Sequence, residues 1–111
     1  MNRVWRSVFV GLAMAAVAFG TGAVLASSVL PMISVPDHVQ GGTELVGSAW
    51  SPNGGVSVTV RMGSVVLYKG GGSDYEVDFM VYIPFGSSGV VTVEAEDSLG
   101  NHSTADVPIV P

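Results

Sequence analysis

Residues 56–62 read VSVTVRM and carry the clearest pattern in the chain. Valine or methionine stands at every second position, and serine, threonine and arginine fill the positions between them. A period of two residues places alternate side chains on opposite faces of a strand. The pattern therefore predicts an antiparallel strand with one buried face and one solvated face.

Similar alternation is found on both sides of this strand. Upstream, residues 43–50 (TELVGSAW) predict a strand in which Leu45, Gly47 and Ala49 share a face, and their small size predicts close approach of an opposing sheet. Downstream, strands are predicted at residues 65–69, 75–83, 90–96 and 104–110, with turn residues between them. In residues 75–83, Tyr75 is predicted to share the buried face with Val77, Phe79, Val81 and Ile83.

Six or seven short strands with this spacing predict an all-β fold, an antiparallel β-sandwich, for residues 43–111. Residues 34–42 are predicted to be a linker that contains a short first strand. The chain has no cysteine, so a disulfide framework is excluded. Nine acidic residues and two basic ones follow position 36, a net charge of −7, which argues against nucleic-acid binding.

A long apolar run precedes the sandwich. No charged residue lies between Arg6 and Asp37, and residues 8–29 are long enough to span a bilayer as a helix. Residues 1–33 are accordingly predicted to be a signal-anchor helix in contact with membrane lipid. Arg3 and Arg6 place the N-terminus in the cytoplasm and the sandwich outside, in a single-pass arrangement. The alternative is a signal peptide cleaved after Ala26, which would release a secreted domain.

Three stretches resemble the bacterial immunoglobulin-like (Big-type) domain over about residues 41–110. They are GTELVGSA at residues 42–49, GVSVTVRM at 55–62 and VTVEAEDSLGN at 91–101. In the third stretch Asp97, Gly100 and Asn101 match the family's tight turn before the last strand. The resemblance implies an immunoglobulin-like sandwich, a fold that this family uses in stalks, spacers and binding modules of surface proteins.

Catalytic, cofactor and metal sites are not predicted. His38 and His102 have no partners at metal-ligand spacing, and Asp97 is explained by turn formation rather than by calcium binding with Asp37 or Asp74. Asn101 begins a glycosylation sequon, Asn-His-Ser. The aromatic residues Trp50, Tyr82 and Phe85 are predicted to contact a protein partner.

The sequence thus predicts a non-enzymatic, membrane-anchored surface domain that makes protein–protein contacts, as an accessory subunit of a membrane complex. A second hypothesis is a filament subunit, because archaeal pilins and archaellins also join one hydrophobic helix to a β-sandwich. This hypothesis includes a homo-oligomer of packed helices. The third is a secreted binding module produced by cleavage after Ala26.

Overall fold

The computed structural model describes residues 5–7 and 29–111, and these residues form strands and no helix. The nine strands of the described residues are β1 (Trp5–Ser7), β2 (Met32–Pro36), β3 (Val39–Gln40), β4 (Glu44–Trp50), β5 (Ser57–Met62), β6 (Val65–Gly71), β7 (Glu76–Tyr82), β8 (Val90–Glu96) and β9 (His102–Val110). The prediction of an all-β domain is confirmed.

The strands form two sheets that pack face to face. One sheet has the order β1-β2-β4-β7, and the other has the order β3-β9-β8-β5-β6. Chain neighbours β4 and β5 lie in different sheets, as do β6 and β7, and β7 and β8. This is the crossing pattern of an immunoglobulin-like sandwich. Within the described part of the chain, all strand pairs are antiparallel except β3 with β9, a parallel pair that the sequence did not predict.

The core lies between the two sheets and consists mainly of valine. Alternation places every second residue of β4, β5, β7, β8 and β9 inward, as the sequence predicted. The fully buried side chains come from both sheets: Ile33, Val35, Leu45, Ile83, Val56, Val58, Val60, Val91, Val93 and Val107. Burial of such a side chain contributes about 1.5–3 kcal/mol, so this layer supplies most of the stability of the domain.

Two predicted core details are wrong. Tyr75 is 61% exposed, because β7 begins one residue after it and the alternation no longer applies there. The reason why position 47 needs a residue without a side chain also differs from the prediction. The Phe79 ring of the neighbouring strand β7 lies over it, and a Cβ at position 47 would stand 2.6 Å from Phe79 Cζ.

The sandwich also begins earlier than predicted. Met32 and Ile33, assigned from the sequence to the helix of residues 1–33, belong to β2, where Ile33 is fully buried. Trp5–Ser7, also assigned to that helical region, pairs with β2 as a strand. No helix that could cross a membrane is present within residues 5–7 and 29–111. The predicted helix of residues 8–29 lies, except for Val29, outside the described residues, and so does the predicted cleavage site at Ala26.

Candidate interaction surface

The outer face of β4 and β7 carries exposed apolar side chains. Val46 of β4 lies directly opposite Met80 of β7, and both are exposed, Met80 by 60%. Tyr82 is exposed on the same face two residues beyond Met80. We call Val46, Met80 and Tyr82 the contact face. Cross-strand pairing fixes their positions, so this apolar surface is preformed.

The predicted partner residues lie only partly together. Tyr82 belongs to the contact face, and Phe85, 87% exposed, follows it in the loop after β7. Trp50 is on the same sheet but at the other end of the ladder, opposite Glu76. Glu76 and Tyr82 are the first and last residues of β7, so they lie about 20 Å apart at the usual rise per residue. Trp50 and Tyr82 therefore belong to separate surfaces.

Val46 and Met80 were missed by the sequence reasoning. The predicted contact residues are all aromatic, whereas Val46 and Met80 are aliphatic and each occupy the face of a strand that alternation marks as solvated. An apolar residue at such a position is the signal that could have identified them. The Tyr68 side chain of β6, by contrast, packs against the core, and its ring centroid lies 6.1 Å from that of Phe79.

Acidic residues border the contact face. Glu44 lies opposite Tyr82, and Asp78 lies two residues from Met80 on the same side of β7. Glu76 follows at the same spacing, and a hydrogen bond with Asp78, together with the repulsion between the two carboxylates, raises the pKa of Glu76. Among the described strands, β7 is also the last of its sheet. Acidic side chains on an edge strand oppose nonspecific strand pairing.

A buried carboxylate organises the end of the sandwich where residues 29–31 join β2. We call this the junction end. Asp97 is 5% exposed. Its Oδ2 accepts hydrogen bonds from Ser51 Oγ at 3.0 Å, Asn53 Nδ2 at 2.9 Å and Asn101 Nδ2 at 3.3 Å. Its Oδ1 accepts from the backbone N–H groups of Leu99 and Asn101, each at 3.0 Å.

These contacts control the ionisation of Asp97. Burial alone raises the pKa of a carboxyl, but the hydrogen bonds from Asn53, Asn101, Ser51 and Leu99 outweigh it and lower the pKa of Asp97 below its ordinary value. Five donors already surround the carboxylate. Asp97 is therefore a structural anion that joins the β4–β5 loop to the β8–β9 turn. The turn motif predicted its place in the β8–β9 turn but not its link to the β4–β5 loop.

The same cluster fixes the start of the domain. Asn53 Nδ2 also donates to the Val29 carbonyl at 3.3 Å, and Ser103 Oγ donates to the Pro31 carbonyl at 2.7 Å. The residues before β2 are thus held by side chains from two other segments.

Asn101 has a structural partner, because its side-chain amide donates to Asp97. Glycosylation of Asn101 stays a prediction, and it would require the amide to leave that carboxylate. His102 lies opposite Glu96 in the register of β8 and β9. His102 and Glu94 border a shallow polar depression, and the Glu94 carboxylate lies 2.6 Å from the Arg61 guanidinium. In the described residues no three histidine or acidic side chains gather where a metal ion could bind.

Comparison with known proteins adds one solved structure. The chain is similar to the PKD domain of an M14-like peptidase from a Thermoplasmatales archaeon, with 22% sequence identity and a TM-score of 0.47. The alignment covers 74% of this chain and 94% of that one. No family model and no curated protein matches the chain. The order and register of the strands in its two sheets identify residues 29–111 as an immunoglobulin-like β-sandwich.

Proposed function

We propose that this chain is a non-enzymatic, Big-type immunoglobulin-like domain that residues 8–29 hold at the outer surface of a cell membrane. Its task is protein–protein contact, as an accessory subunit of a membrane complex. The observation that carries the proposal is the contact face, where the cross-strand pair Val46 and Met80 exposes apolar surface beside Tyr82. An apolar patch of this kind on a soluble domain marks a binding surface.

The charges around the contact face define the partner. Glu44 and Asp78 border the apolar side chains, and the chain after residue 36 carries a net charge of −7. A second acidic surface would be repelled, whereas a surface with an apolar centre and lysine or arginine at its rim is complementary. The partner is therefore a basic surface, and salt should slow the association.

Anchoring requires a change at the edge of β2. In the structure Trp5–Ser7 pairs with β2, which places these residues on the same side as the domain. One membrane crossing by residues 8–28 would put Trp5–Ser7 on the opposite side. The anchored form that we propose therefore lacks the β1–β2 pair, and β2 becomes an edge strand in it.

The contact face can be tested by placing a charge within its apolar surface. Met80→Asp places a carboxylate in its centre, and Thr104→Asp on the exposed face of β9 is the matched control. In detergent extracts of native membranes, the Met80→Asp protein should migrate as a smaller species than the wild type on a native gel, whereas Thr104→Asp should migrate with the wild type. Equal migration of all three would refute the contact face.

A secreted form is the second candidate. Cleavage after Ala26 would remove β1 but leave β2 and the buried Ile33 intact, so the sandwich core would survive processing. N-terminal sequencing of the native protein separates the two forms. A start at Met1 or Asn2 supports the anchor, and a start at Ser27 supports secretion. A start within residues 7–11 would instead support the filament hypothesis.

A further inference from the structure

Three exposed apolar side chains lie at the junction end. Trp50 ends β4 and is 39% exposed, Tyr75 precedes β7, and Leu99 lies in the β8–β9 turn and is 55% exposed. They come from three different connections and share only their position at this end of the sandwich. None of them belongs to the contact face.

The junction end has almost no chain between it and the apolar run. The run reaches residue 29, and β2 begins at Met32, which leaves Leu30 and Pro31 between them. Three residue steps span at most about 11 Å. The Val29 and Pro31 carbonyls are held by Asn53 and Ser103, so this short link cannot act as a flexible spacer.

We infer that the junction end of the sandwich docks on the lipid bilayer, with Trp50, Tyr75 and Leu99 inserted at headgroup depth. The inference rests on the proposed anchoring of residues 8–29. A membrane-spanning run that ends at residue 29 brings the junction end to the surface, because no spacer lifts the domain away. Tryptophan and tyrosine are the residues that favour this interface.

The charges at the junction end select the lipid. Asp74, Glu76 and Glu96 are exposed there, and anionic headgroups would repel them. Docking should therefore be strongest on phosphatidylcholine and should weaken as phosphatidylglycerol is added. Hydrogen bonds hold the backbone beside these side chains: the Leu99 N–H donates to Asp97, and Ser51, next to Trp50, donates its hydroxyl to Asp97 and its N–H to the Tyr75 carbonyl.

Tryptophan fluorescence tests the inference in the full chain. The sequence has two tryptophans, so Trp5→Phe leaves Trp50 as the single emitter. The protein is reconstituted into phosphatidylcholine vesicles whose acyl chains are brominated near the headgroup, and flotation establishes that it is membrane-bound. Trp50 emission should shift to shorter wavelength and lose intensity, and Tyr75→Ser with Leu99→Ser should diminish both effects.

The matched control moves the emitter to the other end of the sandwich. In Trp5→Phe/Trp50→Phe/Phe85→Trp, the tryptophan at position 85 should emit as in water and stay unquenched. A protein that floats with unquenched Trp50 refutes docking and leaves the anchor intact. A protein that does not float refutes the anchor, and the docking inference with it.

Discussion

The Asp97 carboxylate connects two loops directly and, through Asn53, also Val29, which lies shortly before β2. The sequence predicted the turn, because Asp, Gly and Asn at positions 97, 100 and 101 are typical turn residues. Gly100 has a φ of 86°, a conformation that glycine adopts without strain. The sequence did not predict that Ser51 and Asn53 complete the cluster, since 44 or more residues separate them from Asp97.

Replacement of Asp97 should be strongly destabilising. Asp97→Ala leaves the buried donors of Ser51, Leu99 and Asn101 without their acceptor, and the free energy of unfolding should fall by roughly 2–4 kcal/mol. Urea unfolding followed by circular dichroism measures this loss. Asp74→Ala, at an exposed position of the same end, is the control and should stay within about 0.5 kcal/mol of the wild type. Similar losses for both variants would contradict the structural role of Asp97.

The Asp97 carboxylate should also make the free energy of unfolding depend on pH. The pKa of Asp97 is lowered by folding, so its contribution is complete above its ordinary pKa of 3.8 and is lost as pH falls toward the lower folded pKa. Between pH 5 and pH 3 the wild type should lose more unfolding free energy than Asp97→Asn, whose side chain does not titrate. Equal losses in the two proteins would show that Asp97 is not the group responsible.

Gly47 is required because an aromatic ring lies over it. A methyl group at this position would meet Phe79 Cζ at 2.6 Å and the Ser34 carbonyl oxygen at 2.9 Å. Overpacking of this kind costs about 1–3 kcal/mol, so Gly47→Ala should lower the midpoint of thermal unfolding. Ser48→Ala, the next residue on the outer face of β4, is the control. Gly47→Ala should cost less stability in a Phe79→Leu background than in the wild type, but some loss should remain, because the Ser34 carbonyl oxygen still lies 2.9 Å from the added methyl carbon. Equal costs in the two backgrounds would show that the ring is not the cause.

At the scale of the strands, alternation was sufficient to predict β4 to β9 and most of the core. It failed where the pattern itself disappears. Met32 and Ile33 continue an apolar run without alternation, so the sequence could not separate β2 from the predicted helix. Tyr75 shows the reverse error, because the alternating pattern of the sequence begins one residue before the first residue of β7. Strand limits depend on backbone pairing between distant residues, which periodicity does not report.

The β1–β2 pair provides a test of topology. Ser7 and Ser34 are Cα partners in an antiparallel pair, close enough for a disulfide, and the chain has no other cysteine. Ser7→Cys/Ser34→Cys should form the bond under oxidising conditions in protein refolded without lipid. In membranes the bond should be absent, because one crossing separates the two residues. The bond in membrane-bound protein would contradict a single crossing, and Ser7→Cys alone controls for intermolecular bonds.

In the whole molecule, two surfaces lie apart from each other. The junction end, held by the Asp97 cluster, faces the membrane in our proposal, whereas the contact face lies along β4 and β7 and ends near Phe85. The immunoglobulin-like fold was predictable from the sequence. The contact face was not, because it depends on which strands are neighbours, and the pairing of Val46 with Met80 is known only from the register.

Site-specific photo-crosslinking in native membranes shows whether the contact face binds a protein partner. A photoreactive amino acid that replaces Met80, in the contact face, should give one adduct of defined mass. The control carries the same probe at position 104, because Thr104 lies on the other sheet. The adduct should disappear when Val46→Asp is added and should weaken in high salt. Partner binding at the contact face is contradicted if the probes at positions 80 and 104 give the same adducts, or if Val46→Asp leaves the adduct unchanged.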